Sequence, residues 1–158
     1  MIISATVMAD KDGSYLSKSK QVDENIWIGP QPAKNDFNEF AAEEVTVVIN
    51  TRTQAEMEQL GFNETDELKK FDIGYGLVEV GKGHDYSPSK LEAFNELMTA
   101  HAGKKMVLHC RSGHRASQLY AARLRKYQHK TEKEAKQDIP SVESELPYAL
   151  KVLMGQKP

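Results

Sequence analysis

The stretch His109-Cys110-Arg111-Ser112-Gly113-His114-Arg115-Ala116-Ser117 concentrates the residues of this chain that can do chemistry. It follows Lys105 to His109, a short apolar run that reads as a buried strand, and it leads into a helical pattern from about Arg115 to Tyr127. A turn between strand and helix can point successive backbone N–H groups inward, and the helix start adds the positive end of its dipole. Together they form a cradle for a tetrahedral anion. The same field favours thiolate over thiol, which makes Cys110 a nucleophile. Gly113 allows the tight turn. Arg115 offers a planar fork that can grip two anion oxygens. Arg111, Ser112, Gly113, His114 and Ala116 are the candidate substrate-binding positions of the loop. For the Arg111 and His114 side chains, solvent exposure and substrate contact both stand as readings. His109 either tunes Cys110 through hydrogen bonds or serves the strand structurally.

The elements that must position this loop follow from pattern. Asn25 to Ile28 reads as a strand closed by Gly29-Pro30-Gln31-Pro32, and Asn35 caps a helix presenting Phe37, Phe40 and Ala41. Val45 to Asn50 is apolar and β-branched, as a strand covered on both faces should be. Two short helical stretches follow, Gln54 to Leu60 and Glu64 to Phe71, and then a strand from Tyr75 to Val80. Ser87 and Pro88 start the clearest helix, with Leu91, Phe94, Leu97 and Met98 on one face and Gly103 ending it. Thr131 and Glu134 form a capping-box pattern, and Leu146, Leu150 and Leu153 mark a C-terminal helix. Alternating strands and helices predict an α/β fold with a mainly parallel central sheet of four to five strands, flanked by helices on both faces. Ligands of such folds sit at the carboxyl ends of the strands, where Cys110 lies.

The 158 residues suit one domain, residues 1–158, with residues 1–24 expected as a loosely ordered arm, since residues 9–24 are polar. The 21 Lys plus Arg balance 23 Asp plus Glu, which excludes a broad nucleic-acid-binding face. No apolar run is long enough to span a membrane. One cysteine forbids an internal disulfide, a C-x-x-C pair and a multi-cysteine zinc site. The five histidines, at 84, 101, 109, 114 and 129, show neither H-x-H nor H-E-x-x-H spacing, so no metal site or other cofactor is expected. The start MIISATVMAD lacks a basic leader region, and a lone thiol fits a reducing compartment, so the expected location is cytoplasmic, or periplasmic if a leader was trimmed. Oligomeric state is not legible from the sequence.

The loop HCRSGHRAS resembles the active-site loop of the dual-specificity and tyrosine phosphatase superfamily, and in particular its small bacterial beta-lactamase-hydrolase-like branch. Ile26-Trp27-Ile28-Gly29-Pro30-Gln31-Pro32 resembles that branch's first strand and G-Q-P turn, and Val47 to Arg52 its V-I-N-x-R strand end. Ser87-Pro88 with Leu91 and Phe94 resembles the helix before the catalytic strand, so the likeness runs from about residue 25 to 127. The resemblance implies metal-independent hydrolysis of a phosphate monoester, carried by a protein or a small molecule. Cys110 would form a phosphocysteine, Arg115 and the loop amides would hold the oxygens, and Asp85 in Gly81-Lys82-Gly83-His84-Asp85-Tyr86 would be the general acid, with His84 the substitute. Arg52 is expected to be supporting structure. Two departures stand out. Four residues separate Cys110 from Arg115 where typical members place five, and Ala116 stands where a hydroxyl residue usually assists the leaving thiolate, with Ser117 one place later. The tighter loop also suits a rhodanese-type sulfurtransferase carrying a Cys110 persulfide, although no rhodanese D-x-R-x-x-x-E element is present. A non-catalytic phosphate-binding module is the third reading.

Overall fold

The structure, a computed structural model, describes residues 13–137, 139 and 146–156. Five short strands build the centre: β1 (Lys20–Asp23), β2 (Ile26–Gly29), β3 (Val47–Asn50), β4 (Gly74–Leu77) and β5 (Met106–His109). They lie in the order β1-β2-β5-β3-β4, with β1 antiparallel to β2 and every other pair parallel. The described helices are α1 (Tyr15–Lys18), α2 (Asp36–Ala42), α3 (Gln54–Met57), α4 (Glu64–Lys69), α5 (Pro88–Ala100), α6 (His114–Tyr127), α7 (Glu132–Lys136) and α8 (Leu146–Leu153). Among the described residues, no helix is long and apolar enough to cross a membrane.

The sheet is covered on both faces: β3 and β5 are buried at every position, and side chains alternate between faces. Val47, Ile49, Met106 and Leu108 face one core with Leu91, Phe94 and Met98 of α5 and Leu119 of α6. Val48 and Val107 face the other, with Tyr15, Phe37, Phe40 and Leu68. The mainly parallel α/β sheet expected from the sequence is the sheet observed.

Three expectations need correction. Residues 13–23 are not a loose arm: Ser14 caps α1, and β1 pairs along β2, while residues 1–12 lie outside the described residues. The tether is specific, since the amides of Tyr15 and Leu16 donate to Glu39 at 2.8 and 3.0 Å and Tyr15 Oη donates to Pro30 O at 2.6 Å. The fourth strand ends at Leu77 rather than Val80, although Val78 N and Val80 N still bond to Asn50 O and Thr51 O. Asn35 precedes α2 without a side-chain cap; Asp36 Oδ2 instead accepts the Ala33 N–H at 2.7 Å.

Parallel register aligns the strand ends. Gly29 and Asn50 both sit level with His109, and Leu77 sits level with Asn50. The segments leaving β2, β3, β4 and β5 therefore meet at one edge around Cys110.

Candidate active site

Cys110 is 1 % exposed, which alone would fit an inert core thiol. Its contacts are those of a loop floor instead. Sγ accepts the backbone N–H of Gly113 at 3.1 Å and of Arg115 at 3.3 Å. Orientation of the remaining amides follows from the carbonyls. Cys110 O faces His109 Nδ1 at 3.2 Å, Arg111 O accepts from Gln31 N at 3.2 Å, and Gly113 O accepts from Ser117 N at 3.0 Å and Ser117 Oγ at 2.7 Å. A trans peptide sets N–H opposite C=O, so carbonyls turned to the surrounding protein turn the amides of Arg111, Ser112 and His114 back toward the ring. Neighbouring groups thus hold the carbonyls of Cys110, Arg111 and Gly113.

Gly113 takes φ +99°, the left-handed region, at the junction with α6. There is room for a methyl group, since a Cβ there would lie no nearer than 3.6 Å to Gly29 O. The cost of Gly113→Ala is therefore conformational, about 1–2 kcal/mol. A drop of a few degrees in Tm by thermal denaturation is the expected result, with an unchanged Tm showing that the turn relaxes freely.

Arg115 is held from two sides. Its Nη1 and Nη2 donate to Glu56 Oε2 and Oε1 at 2.7 and 2.9 Å, a fork-to-fork pair, and Nη1 also donates to Val80 O at 2.6 Å. A guanidinium has five N–H donors. Among the described residues three are engaged, and the other two, Nε–H and one Nη2–H, lie parallel on a single edge, the geometry that suits two oxygens of an anion. The Glu56 carboxylate accepts from Thr53 N, Thr53 Oγ1 and Arg52 Nε as well as from Arg115. Those hydrogen bonds, Arg115's foremost, hold the Glu56 carboxyl well below the usual carboxylate range and raise Arg115 in turn. Gly81 permits the close fit, because a Cβ there would come within 2.9 Å of Arg115 Nη1 and of Thr53 Cγ2.

His109 is fully buried, and its Nε2 lies 2.7 Å from Glu64 Oε2. It belongs to a core strand, and its Nδ1 lies 3.2 Å from the Cys110 carbonyl oxygen. Arg111 and Ser112 carry exposed side chains and serve the ring through the backbone. His114 opens α6 with its Nε2 3.1 Å from Gln118 Nε2. The Ala116 side chain is fully buried in the core, so of that residue only the backbone could face a substrate. Ser117 Oγ is tied to Gly113 O and so anchors the turn. Asp85 is exposed in the loop after Gly81, while His84 pairs through its backbone with Gly81 and lies 3.5 Å from Glu79. The Val80 carbonyl that grips Arg115 thereby brings the start of the Asp85 loop to the site.

Sequence reasoning missed Glu56, Glu64 and the side chain of Gln31. Gln31 Nε2 donates to Glu64 Oε1 at 2.7 Å and its Oε1 accepts from Arg52 Nη1 at 3.0 Å. Arg52, expected as supporting structure, occupies that role.

A mainly parallel α/β sheet delivering cysteine, amide ring and arginine from its carboxyl edge is the arrangement of the cysteine-dependent phosphatase superfamily. A family model described as the phosphatase-like domain of the beta-lactamase hydrolase-like protein matches residues 19–124, about two thirds of the chain, and the chain belongs to that family. A curated relative, the beta-lactamase hydrolase-like protein of Xylella fastidiosa, is 28% identical over 106 residues, which span 66% of this chain but only 24% of the relative. Among solved structures, Tk-PTP in its active form matches with TM-score 0.71 and 20% identity, covering 88% of this chain and 97% of that one. PTPMT1 in complex with PI(5)P gives 0.69 and 21%, covering 87% and 92%. Kinase associated phosphatase with its catalytic-site cysteine changed to serine gives 0.66 and 12%, covering 84% and 88%. These likenesses show the fold.

Proposed function

We propose that this domain hydrolyses phosphate monoesters through a phosphocysteine, without a metal. The observation that carries the reading is a thiol whose Sγ receives two loop amides, in a loop ending at Arg115, whose guanidinium is held by Glu56 and Val80 through three of its five donors among the described residues. Cys110 thiolate attacks phosphorus as the bond to the ester oxygen breaks. Asp85, as the acid, gives its proton to that leaving oxygen. Water, deprotonated by the Asp85 carboxylate, then attacks phosphorus; the S–P bond breaks, phosphate leaves and the thiolate returns. Charge on the equatorial oxygens meets the ring amides and Arg115 throughout. A phosphorylated protein or a phosphorylated small molecule meets these requirements equally, and PTPMT1, a structural neighbour, has been seen with a phosphoinositide.

Phosphate release from an aryl phosphate, assayed beside sulfur transfer from thiosulfate to cyanide, tests the reading. Phosphate release that needs Cys110 supports it. Thiocyanate formation alone would assign sulfur chemistry, and anion binding with neither product would make this a binding module.

Asp85→Asn separates the acid from the rest of the site. Turnover of an alkyl phosphate, a poor leaving group, should fall by about 10²-fold, while an activated aryl phosphate is affected far less. Equal slowing of both substrates, or of neither, would take Asp85 out of the acid role and move attention to His84.

A further inference from the structure

A cleft opens at the amino edge of the sheet, at the opposite end of the strands from Cys110. It encloses about 280 Å³ between the turn joining β1 to β2, the C-terminal ends of α5 and α6, and the start of β5. Ile26, Met98 and Met106 give it apolar surface, Asp23 brings negative charge, and Lys104 and Arg123 bring positive charge. We propose that this cleft binds a small monocarboxylate with a short aliphatic tail, its carboxylate gripped by the Arg123 guanidinium. The inference goes beyond the phosphatase reading, and either can fail without the other.

Arg123 is fixed in place without being neutralised. Its Nε donates to Asn95 Oδ1 of α5 at 2.9 Å, which sets the plane of the guanidinium. Among the described residues neither Nη donates to an acceptor, and no carboxylate pairs with the group. Asp23, the acid lining the same cleft, turns its Oδ1 to the Glu24 N–H at 2.7 Å. Burial lowers Arg123 from its ordinary value, with the Tyr120 phenol opposing that effect. Tyr120 is itself raised to about 12, by burial first, so it supplies no anion near neutral pH. A partly buried guanidinium is ordinarily set against an anion. Here the Nη1–Nη2 edge presents two parallel N–H groups, the fork that matches the two oxygens of a carboxylate.

The rest of the cleft selects among anions. Lys104 is exposed and has no carboxylate partner among the described residues, so it adds a second positive charge. Asp23 and Glu24 count against a dianion such as a phosphate monoester, because every added negative charge meets both acids. Ile26, Met98 and Met106 favour a ligand with CH2 groups to bury. The two methionines are each 2% exposed, so a tail rests on them rather than entering the core. Asn25 Nδ2 donates to Gly103 O at 3.2 Å, which ties the start of β2 to the segment carrying Lys104 and sets the width of the cleft. Its volume suits a molecule of a few carbons, being near the lower end of small-molecule sites.

Titration of the whole chain with n-butyrate near neutral pH, followed by NMR, tests the assignment. The Arg123 Nε–H signal and the Met98 and Met106 methyl signals should move together and saturate with a Kd of about 1–10 mM, the range open to so small a ligand. Propionate and acetate should bind more weakly, by about threefold for each CH2 removed. Arg123→Gln should weaken butyrate by about tenfold or more, and Lys104→Gln, at an exposed position, by about twofold. Shifts that never saturate, or a folded Arg123→Gln that binds as well as wild type, would overturn the proposal. So would movement confined to Gly113 and Arg115, which would put the carboxylate in the Cys110 loop. Inorganic phosphate that moves the Arg123 signal as strongly as butyrate does would overturn the monocarboxylate class. Should Arg123→Gln fail to fold, the wild-type shift map and Lys104→Gln decide. No phosphate ester enters these measurements, so loss of the phosphatase reading would leave them intact.

Discussion

Cys110→Ser should lower phosphate release from an aryl phosphate by about 10⁴-fold or more, about 5.5 kcal/mol of barrier, with the fold retained. The size follows from what the loop supplies. Ring amides and a helix start can stabilise a negative charge, and sulfur accepts that charge more readily than oxygen because a thiol is a stronger acid than an alcohol. A serine hydroxyl holds its proton far more tightly. It would therefore need a base beside it, and the atoms that reach Sγ from Gly113 and Arg115 are both donors. The substitution removes little volume from a buried position, and the ring carbonyls stay fixed by Gln31, His109 and Ser117. Inorganic phosphate should accordingly bind to Cys110→Ser at least as well as to wild type, measured by calorimetry. Acid quenching of wild type during turnover should trap a phosphate-sized mass increment on the peptide containing Cys110. Retained turnover in the serine variant, or a phosphoryl group trapped on another residue, would move the nucleophile elsewhere.

The parts of this site that were legible in the sequence are those that are contiguous. Strand, turn and helix from Met106 to Tyr127 lie next to one another in the chain, so residue spacing alone carried that order and the place of Cys110 in it. The caps were legible for the same reason: Ser87 accepts from Lys90 N, and Thr131 and Glu134 form both halves of the predicted box. The layered fold was legible because β3 and β5 are buried at every position, which only a sheet covered on both faces allows. What was not legible depends on long-range pairing. Lys20-Gln21-Val22-Asp23 has the charged, mostly exposed pattern of an edge strand, and only its register with β2 distinguishes it from a loop. Glu56 and Glu64 read as ordinary acidic residues in the first turn of a helix, and Glu56 does complete a capping box with Thr53. Their partners Arg115 and His109 are 59 and 45 residues away, a separation that no local pattern reports. The Thr53–Glu56 box next to Arg52 was the one available signal, and it pointed to a cap rather than to a catalytic arginine.

Arg115→Lys is the companion test, with an expected fall in kcat/KM of about 10³-fold, or about 4 kcal/mol. A lysine has three donors radiating from one nitrogen. It can satisfy Glu56 and Val80 as Arg115 does, but it cannot also present two parallel N–H groups to the equatorial oxygens, so the transition state loses more than the ground state. Binding of inorganic phosphate should weaken less than kcat/KM falls; equal losses would mean that Arg115 holds the ground state and transition state alike. Glu56→Gln probes the same fork from behind. The amide cannot meet both Nη groups as an acceptor, so Arg115 loses its fixed plane and kcat/KM should drop by about tenfold or more. The sign of the accompanying pH effect is set by the lowered Glu56 carboxyl. Stability from the Glu56–Arg115 pair is complete above the ordinary glutamate range and is lost only as pH falls below that range toward the folded-state value. The difference in Tm between wild type and Glu56→Gln should therefore stay constant from pH 7 down to about 5 and close toward about pH 2. A difference that opens on acidification instead would mean that the carboxylate is not held ionised by the arginine, and the Nε–Nη2 edge of Arg115 would lose the constraint that aims it.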